Sequence, residues 1–359
     1  MIRMYIGTYT ARHGGEGEGI YIADYDVANG TVNNIRLAVE APNPTFLALH
    51  PSNTYLYSVT EIGQAENSRL AGVSAYAIEG GSLRLLNKQE TGGLSSCHVS
   101  VDKTGRQVLV ANYGGGSVSV HPIQKDGSLA AYSCHVQHEG SSVNAARQEG
   151  PHAHSINLDH DNRFAFVCDL GTDDTFIYAF DADAGTLMPA EQASVKAPAG
   201  AGPRHFAMHP NGRFAYVINE LDGTMSVYAY DASSGSLTEL QTCSTLPDDY
   251  TGENSCADVH VSPCGRFLFG SNRFQDSIVS YRIDENLGTL SLVGWEPTHG
   301  KTPRNIALSP DGQYLLVENQ DSHTIVTMKI NQETGELSAT GDVAEVPSPV
   351  CAIFEVGEC

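Results

Sequence analysis

Short apolar stretches that alternate with polar residues recur along the whole 359-residue chain. Six segments share one order: a short apolar strand, a tight turn, a second apolar strand ending in a polar residue, and a third strand rich in Val, Ile and Tyr. Two examples are PRHFAMHPNGRFAYVINEL and PRNIALSPDGQYLLVENQ. Period-two alternation and β-branched content predict β-strands, and no intervening stretch has the period of an amphipathic helix.

The tight turn within these segments recurs about every 50 residues, which is typical of β-propeller blades. Gly or Asn occupies the turn because both residues tolerate a positive φ angle. The six turn residues are Asn53, Gly105, Asn162, Gly212, Gly265 and Gly312. A Gly-Ser or Gly-Thr turn and a fourth strand follow each third strand, so we predict four-stranded blades.

The two ends of the chain supply a seventh, split blade. The N-terminal YIGTYT, GIYIADYD and VNNIRLAV have the pattern of second, third and fourth strands, and the C-terminal PSPVCAIFEV has that of a first strand. Joining them closes the ring and removes the exposed sheet edges of an open array. We therefore predict an all-β, seven-bladed β-propeller, closed by its N- and C-terminal strands, as a single domain over residues 1–359.

The formal net charge of −22 argues against nucleic acid and anionic membranes as partners, because both are bound mainly through clustered Lys and Arg side chains. No apolar run is long enough to span a membrane, and the N-terminus lacks the pattern of a signal peptide. The eight cysteines have no metal-ligand spacing, which indicates reduced thiols and a cytoplasmic location. We expect neither a metal nor a cofactor.

The predicted loops divide between two faces of the ring. The first-to-second and third-to-fourth turns are short and uniform, and they share one face. The second-to-third loops and the links between blades share the other, and they include the long stretches TARHGGEGEG, EIGQAENSRLAG and HEGSSVNAARQEG. Long, variable loops on a rigid scaffold commonly form binding sites, so we predict the site on this second face.

Charged residues stand at equivalent positions of the repeats where the strands open onto that face. Eight residues before each turn lie Thr45, Cys97, His154, Arg204, Ala257 and Arg304. Eight residues after each turn lie Glu61, Tyr113, Leu170, Glu220, Arg273 and Gln320. A core does not hold charged groups unless they are paired or functional, so we predict that the charged members encircle the mouth of the central channel.

A column of small polar residues runs one position before the second set: Thr60, Asn112, Asp169, Asn219, Asn272 and Asn319. Such residues at strand ends most often satisfy the backbone, yet Asn219 and Asn272 are kept as candidate substrate contacts.

Two structural alternatives accompany the charged positions. We interpret His98, His205 and His260 as ordinary buried or channel-lining histidines, since no neighbouring spacing supports a metal site. A purely structural ion-pair cluster is the alternative for Glu220 and the arginines near it.

With these residues in hand, the chain resembles the lactonase family, which contains the bacterial propeller-type 6-phosphogluconolactonases and the fungal carboxymuconate cyclases. The likeness covers nearly the whole chain and is carried by YIGTYT, PHAHS, GPRHFAMHPNGRFAYVINE and SPCGRFLFGSNR. The resemblance implies that positions proposed for the active site in the cyclase branch correspond to His154, Arg204, Glu220 and Arg273. His152 rivals His154 because both lie in PHAHS.

The resemblance implies hydrolysis of 6-phosphoglucono-1,5-lactone, an anionic small-molecule lactone, to 6-phosphogluconate in the pentose phosphate pathway. Ring opening needs an activated water, a stabilised oxyanion and a protonated leaving group. We expect Glu220 to be the base, His154 the acid or a second base, and Arg204 with Arg273 to bind the anionic group or the oxyanion. The expected substrate contacts are Arg304, His152, Glu61, Asn219 and Asn272.

A muconate lactonizing enzyme or cycloisomerase that uses the same Glu and His is the second candidate, and a non-enzymatic binding platform is the third. The charged ring favours an enzyme. In a water-filled, exposed mouth, replacement of Glu220 by Gln should barely change stability.

Overall fold

The structure is a computed structural model that describes residues 1–62 and 72–355. The predicted loop EIGQAENSRLAG lies outside the described residues except for its ends, and Cys359 also lies outside them. The described strands form seven antiparallel sheets of four strands each, which confirms the predicted seven-bladed β-propeller.

The strands follow one another in blade order along the chain. The first blade contains β1 (Ile2–Thr8), β2 (Gly19–Asp26) and β3 (Thr31–Glu40). The second blade contains β4 (Leu47–Leu49), β5 (Tyr55–Thr60), β6 (Gly72–Glu79) and β7 (Ser82–Gln89). The third contains β8 (Ser96–Val101), β9 (Gln107–Asn112), β10 (Ser117–Pro122) and β11 (Cys134–Gln137). The fourth contains β12 (Ala153–Leu158), β13 (Phe164–Asp169), β14 (Asp174–Asp181) and β15 (Thr186–Lys196).

The last three blades have the same build. The fifth contains β16 (Pro203–Met208), β17 (Phe214–Asn219), β18 (Thr224–Asp231) and β19 (Ser236–Ser244). The sixth contains β20 (Ser255–Val261), β21 (Phe267–Arg273), β22 (Ser277–Ile283) and β23 (Leu290–Pro297). The seventh contains β24 (Pro303–Leu308), β25 (Tyr314–Asn319), β26 (Thr324–Ile330) and β27 (Leu337–Glu345). Short 3-10 turns occupy Arg12–Gly14 and Gln320–Ser322.

The ring closes through β28 (Pro349–Phe354), which pairs antiparallel with β1 and completes the first blade. The register aligns Met4 with Phe354 and Ile6 with Ala352. Beyond the strand, the Glu355 carboxylate accepts hydrogen bonds from Arg3 (3.1 Å) and from the Tyr5 hydroxyl (2.6 Å). The predicted split blade is thus formed by the two ends of the chain.

The core lies between the blades. Every residue of the second strand is buried in the third, fifth and sixth blades, whereas the outer strand β19 leaves five of its nine residues exposed. Apolar clusters in the described residues bridge each pair of neighbouring blades, including the seventh and the first. Each blade therefore depends on both of its neighbours for burial of its apolar faces.

The six predicted turn residues all adopt positive φ, between 54° at Asn53 and 73° at Gly265. At two of the glycines a neighbouring ring also excludes a side chain. A Cβ at Gly105 would meet the His50 ring at 2.3 Å, and one at Gly265 would meet His209 at 2.7 Å. Both rings hydrogen-bond the carbonyl of the glycine that they contact, which links each turn to the next blade.

Several histidines are buried within the ring as neutral imidazoles. Burial lowers the pKa of His121 to about 4, and burial together with Arg204 lowers that of His205 to about 4. Burial also lowers the pKa of His98 and His154 well below 6.5. An unfolded chain binds protons at these imidazoles near pH 6.5, whereas the folded protein does so only at lower pH.

We therefore expect the free energy of unfolding to fall as the pH drops below about 6.5, by about 2 kcal/mol at pH 5 for each of His121 and His205. His260 partly offsets this loss, because Asp258 outweighs burial and raises its pKa. Denaturant titrations at pH 7.5 and 5 measure the change. His121→Gln should reduce the pH dependence, and replacement of the exposed His135 by Gln should not. An equal slope in both variants would contradict the assignment.

Candidate active site

A pocket of about 630 Å³ opens at the axis of the ring, on the face of the second-to-third loops and the links between blades. A cavity large enough for roughly one water lies beneath it. Of the twelve positions predicted from the repeats, all but Leu170 and Ala257 line one of these two spaces. The predicted convergence at one mouth is therefore present in the structure.

β-Bulges bring the first-strand residues into the pocket. The register of the blade's first two strands shifts around His154, Arg204 and Arg304, and the same irregularity occurs around Cys97. A bulge leaves one residue without a partner in the ladder and redirects its side chain. Strict alternation along β12, β16 and β24 would therefore misplace the groups that face the pocket.

Glu220 is the centre of the largest charge cluster. Its carboxylate lies 3.1 Å from Arg204 Nε, 3.1 Å from Arg273 Nη2 and 2.6 Å from Arg147 Nη2. The Glu220 side chain is only 5% exposed, so these contacts are made in a largely dry environment. The small effect on stability expected for Glu220→Gln depended on an exposed, water-filled mouth, and this condition is not met because the carboxylate is buried beneath the arginines.

This environment keeps Glu220 ionised. Burial favours the neutral acid, but Arg273 and Arg204 outweigh it and hold the pKa of Glu220 well below its usual range. A carboxylate of such low pKa is a poor proton acceptor at neutral pH. The geometry therefore fits Glu220 better as the anion that organises the arginines than as the base expected from the sequence.

His154 lies beside Glu220, with Nε2 3.8 Å from the carboxylate, and its ring lines the pocket. His152 lies outside the cluster: its ring stacks on Tyr113 at 4.5 Å, and Nδ1 contacts the Tyr113 carbonyl at 2.9 Å. Of the two histidines in PHAHS, the structure thus brings His154 to Glu220 and gives His152 a supporting position behind Tyr113.

A buried chain of hydrogen bonds fixes Arg204 from below. Arg204 Nη1 lies 3.1 Å from His205 Nε2, and His205 Nδ1 lies 2.7 Å from the Asp258 carboxylate. Because the guanidinium can only donate, His205 Nε2 accepts a hydrogen bond from Arg204. His205 Nδ1 is therefore protonated and donates a hydrogen bond to the Asp258 carboxylate. Asp258 also accepts from Asn305 at 2.5 Å. His205, interpreted from the sequence as an ordinary buried histidine, thus orients one arginine of the cluster.

Two pocket arginines lie in loops and were missed by the repeat alignment. Arg147, in the link between β11 and β12, also donates to the Tyr113 hydroxyl at 3.2 Å. Arg12, in the loop after β1, donates to Glu61 at 3.0 Å and to Ser95 at 3.3 Å. The signal that could have found them was the presence of an arginine in each of two long loops on the predicted face.

Glu61 forms a second charged centre across the pocket. Besides Arg12, it accepts hydrogen bonds of 2.9 Å from the hydroxyls of Tyr9 and Thr45. Arg304 stands next to this centre, with its guanidinium 5.2 Å from the centroid of the Tyr9 ring. Glu61 and Arg304 are therefore both at the pocket, as the sequence predicted.

Asn219 and Asn272 are fully buried and do not line the pocket. Asn219 Nδ2 donates to Thr224 and Ser226 within its own blade, and Asn272 Nδ2 donates to Ser277 and to the Thr245 carbonyl. Their selection as substrate contacts is wrong for a physical reason: the side-chain amides bond hydroxyls of the adjacent third strand and, for Asn272, the carbonyl of Thr245, away from the pocket.

Two aromatic residues at the pocket rim have backbone conformations that L-residues rarely adopt. Phe274 has φ 71° with 55% of its surface exposed, and His13 has φ 51°. Strained, exposed side chains of this kind occur preferentially at functional sites. They give the polar pocket an apolar edge.

Within residues 1–62 and 72–355, no cluster of three or more His, Cys, Asp or Glu side chains has the arrangement of a metal site. The cysteines in that part of the chain are free thiols. Among the described helical turns, none is long and apolar enough to cross a membrane.

The fold and the pocket define a seven-bladed propeller with a strongly ionic site at its axis. Comparison with known proteins gives the family: residues 3–354 match the family described as "Lactonase, 7-bladed beta-propeller", and the chain belongs to it.

Relatives of established name are similar over most of their length. The 6-phosphogluconolactonase of Bacillus subtilis is 36% identical over 304 residues, or 84% of this chain and 83% of that protein. The 6-phosphogluconolactonase of Formosa agariphila is 36% identical over 310 residues, covering 85% of each chain. The structure of the periplasmic gluconolactonase of Pseudomonas aeruginosa superimposes with a TM-score of 0.91 at 31% identity, covering 99% of each chain.

Proposed function

We propose that the protein hydrolyses 6-phosphoglucono-1,5-lactone to 6-phosphogluconate at the axial pocket. The observation that carries the proposal is an ionised carboxylate, Glu220, clamped by three arginines beside the neutral His154. The names of the relatives from Bacillus subtilis and Formosa agariphila support the same substrate.

In the proposed reaction His154 is the general base. Burial and Arg204 lower its pKa and keep the imidazole neutral, so a ring nitrogen is free to accept a proton from water. The Glu220 carboxylate opposes this shift and stabilises the imidazolium once it has formed. The water oxygen attacks the lactone carbonyl, and a tetrahedral oxyanion forms. The ring ester bond then breaks, and the imidazolium returns its proton to the leaving alkoxide. Acid and alcohol are released as one open-chain product.

The arginines stabilise the oxyanion in this proposal. Arg147 and Arg273 line the pocket, and a guanidinium has five N–H donors, of which the contacts to Glu220 and Ser255 use only part. Burial lowers the pKa of Arg273 to about 9, although Glu220 opposes the shift, so the group is still cationic at neutral pH. Donors held in place before reaction contribute more than mobile ones, and Glu220 holds them.

The test is a lactonase assay that subtracts spontaneous ring opening. Purified protein is given 6-phosphogluconolactone, glucono-1,5-lactone and a carboxylated muconolactone, before and after exhaustive EDTA treatment. We expect enzymatic opening of the first, undiminished by EDTA, because the described residues offer no cluster of metal ligands. Turnover of the muconolactone alone would replace the proposal with the cycloisomerase function, and loss on chelation would contradict the metal-free mechanism.

We also propose a cytoplasmic location and a role in the pentose phosphate pathway. The free thiols at the described cysteine positions suit a reducing compartment, and the proposed product is an intermediate of that pathway.

A further inference from the structure

Five arginines among the described residues line the pocket or the small cavity beneath it, and they differ in whether they have partners. Arg12 is bonded to Glu61, and three others share Glu220: Arg147, Arg204 and Arg273. Within the part of the chain that the structure describes, the guanidinium of Arg304 donates no hydrogen bond and forms no ion pair. Its five N–H donors are therefore available to a ligand.

Arg304 is held in place although it is unpaired. Its guanidinium lies on the Tyr9 ring at 5.2 Å, and the Tyr9 hydroxyl is fixed by its bond to Glu61. His13 packs edge-on against the same ring at 5.0 Å. A cation stacked on an aromatic ring is oriented while its donors stay free. Arg304 also lines both the pocket and the small cavity beneath it.

We propose that Arg304 is the anchor for the phosphate monoester of the substrate. This inference rests on the proposed function and divides the pocket into two ends. The lactone carbonyl lies at the Glu220 end, where three arginines already share an anion, and the phosphate lies at the Arg304 end. In a chain of net charge −22, a dianion needs a local cation that no protein anion has neutralised. A guanidinium fork matches phosphate oxygens in a bidentate contact.

The experiment compares kcat/KM for 6-phosphogluconolactone and glucono-1,5-lactone in Arg304→Gln. We expect a loss of about 10²-fold on the phosphorylated lactone and less than about threefold on the other. Inorganic phosphate should inhibit opening of glucono-1,5-lactone by the wild type, and this inhibition should disappear in the variant. Arg304→Lys should recover part of the preference, because it restores the charge without the fork.

Arg213→Gln is the matched control, since its guanidinium stacks on Phe214 at 5.1 Å but lies in an exposed turn on the opposite face. It should leave both rates unchanged. Equal losses on the two lactones in Arg304→Gln would overturn the proposal and place Arg304 at the reacting carbonyl. A wild type without preference for the phosphorylated lactone would also overturn it. Thermal melting of each variant identifies a change that only unfolds the protein.

Failure of the proposed function is distinguishable from failure of this inference. If the wild type opens neither lactone, calorimetric titration with inorganic phosphate still tests whether Arg304 forms an anion-binding site. Binding that weakens at least tenfold in Arg304→Gln supports the anion site, and absence of binding to the wild type overturns it.

Discussion

Glu220→Gln is expected to lower lactone turnover by about 10²-fold or more and to reduce the free energy of unfolding by about 3 kcal/mol. The change removes the anion that three guanidinium groups share in a site where Glu220 is 5% exposed. Without it, the arginines repel one another and lose the geometry needed at the oxyanion. Steady-state kinetics and denaturant titration measure the two effects.

Glu149→Gln is the control, because Glu149 also faces a histidine, His152 at 3.3 Å, but is 61% exposed and outside the pocket. It should change neither quantity appreciably. Normal turnover in a destabilised Glu220→Gln protein would make the cluster purely structural. Lost turnover at unchanged stability would mean that the arginines find other partners, and it would restore Glu220 as the proton acceptor.

Removal of the residues after Pro349 is expected to prevent accumulation of folded protein. The deletion removes Val350, Cys351, Ala352 and Phe354, each of which is at most 9% exposed. It also leaves the edge of β1 that faces β28 without a hydrogen-bonding partner. The lost apolar burial is on the order of 5 kcal/mol, which is comparable with the whole stability of many domains. The exposed edge also favours aggregation.

The matched control ends the chain after Glu355, which keeps β28 and the bonds of Glu355 to Arg3 and Tyr5. Soluble yield, circular dichroism and thermal melting compare the two truncations. If the shorter protein melted like the full chain, β28 would contribute nothing to closure, contrary to its position in the sheet.

The fold was predictable because the sequence pattern of one blade recurs in six segments of the chain. A Gly or Asn at each tight turn is needed for positive φ, and six copies of that requirement reveal the blade length without any contact being known. The split blade followed from the same repeat, since an incomplete unit at each end has one way to be completed. The comparisons and the strand pairing confirm both.

The site was predictable only where it follows the repeat. His154, Arg204, Glu220 and Arg273 occupy repeated positions, and the structure brings them together. Arg12 and Arg147 come from loops that have no counterpart in other blades, so no alignment could place them.

Side-chain direction was the other limit. Position along a strand indicated which end of the blade holds Asn219 and Asn272, but not that their amides bond the start of the adjacent third strand and do not face the pocket. The separation of His152 from His154 likewise depends on a bulge, which no apolar pattern reveals.

The bulges at the inner strands have a consequence for how new specificities arise. A residue at a bulge can be exchanged without breaking a ladder hydrogen bond, so the pocket wall varies almost independently of the scaffold. Cys97, at one of these bulges, lines the pocket and carries no charge. Replacement of Cys97 by another small residue, Ser or Ala, should change which lactones are accepted while the melting temperature stays nearly constant. The residues that determine specificity are thus different from the paired strand residues that stabilise the ring.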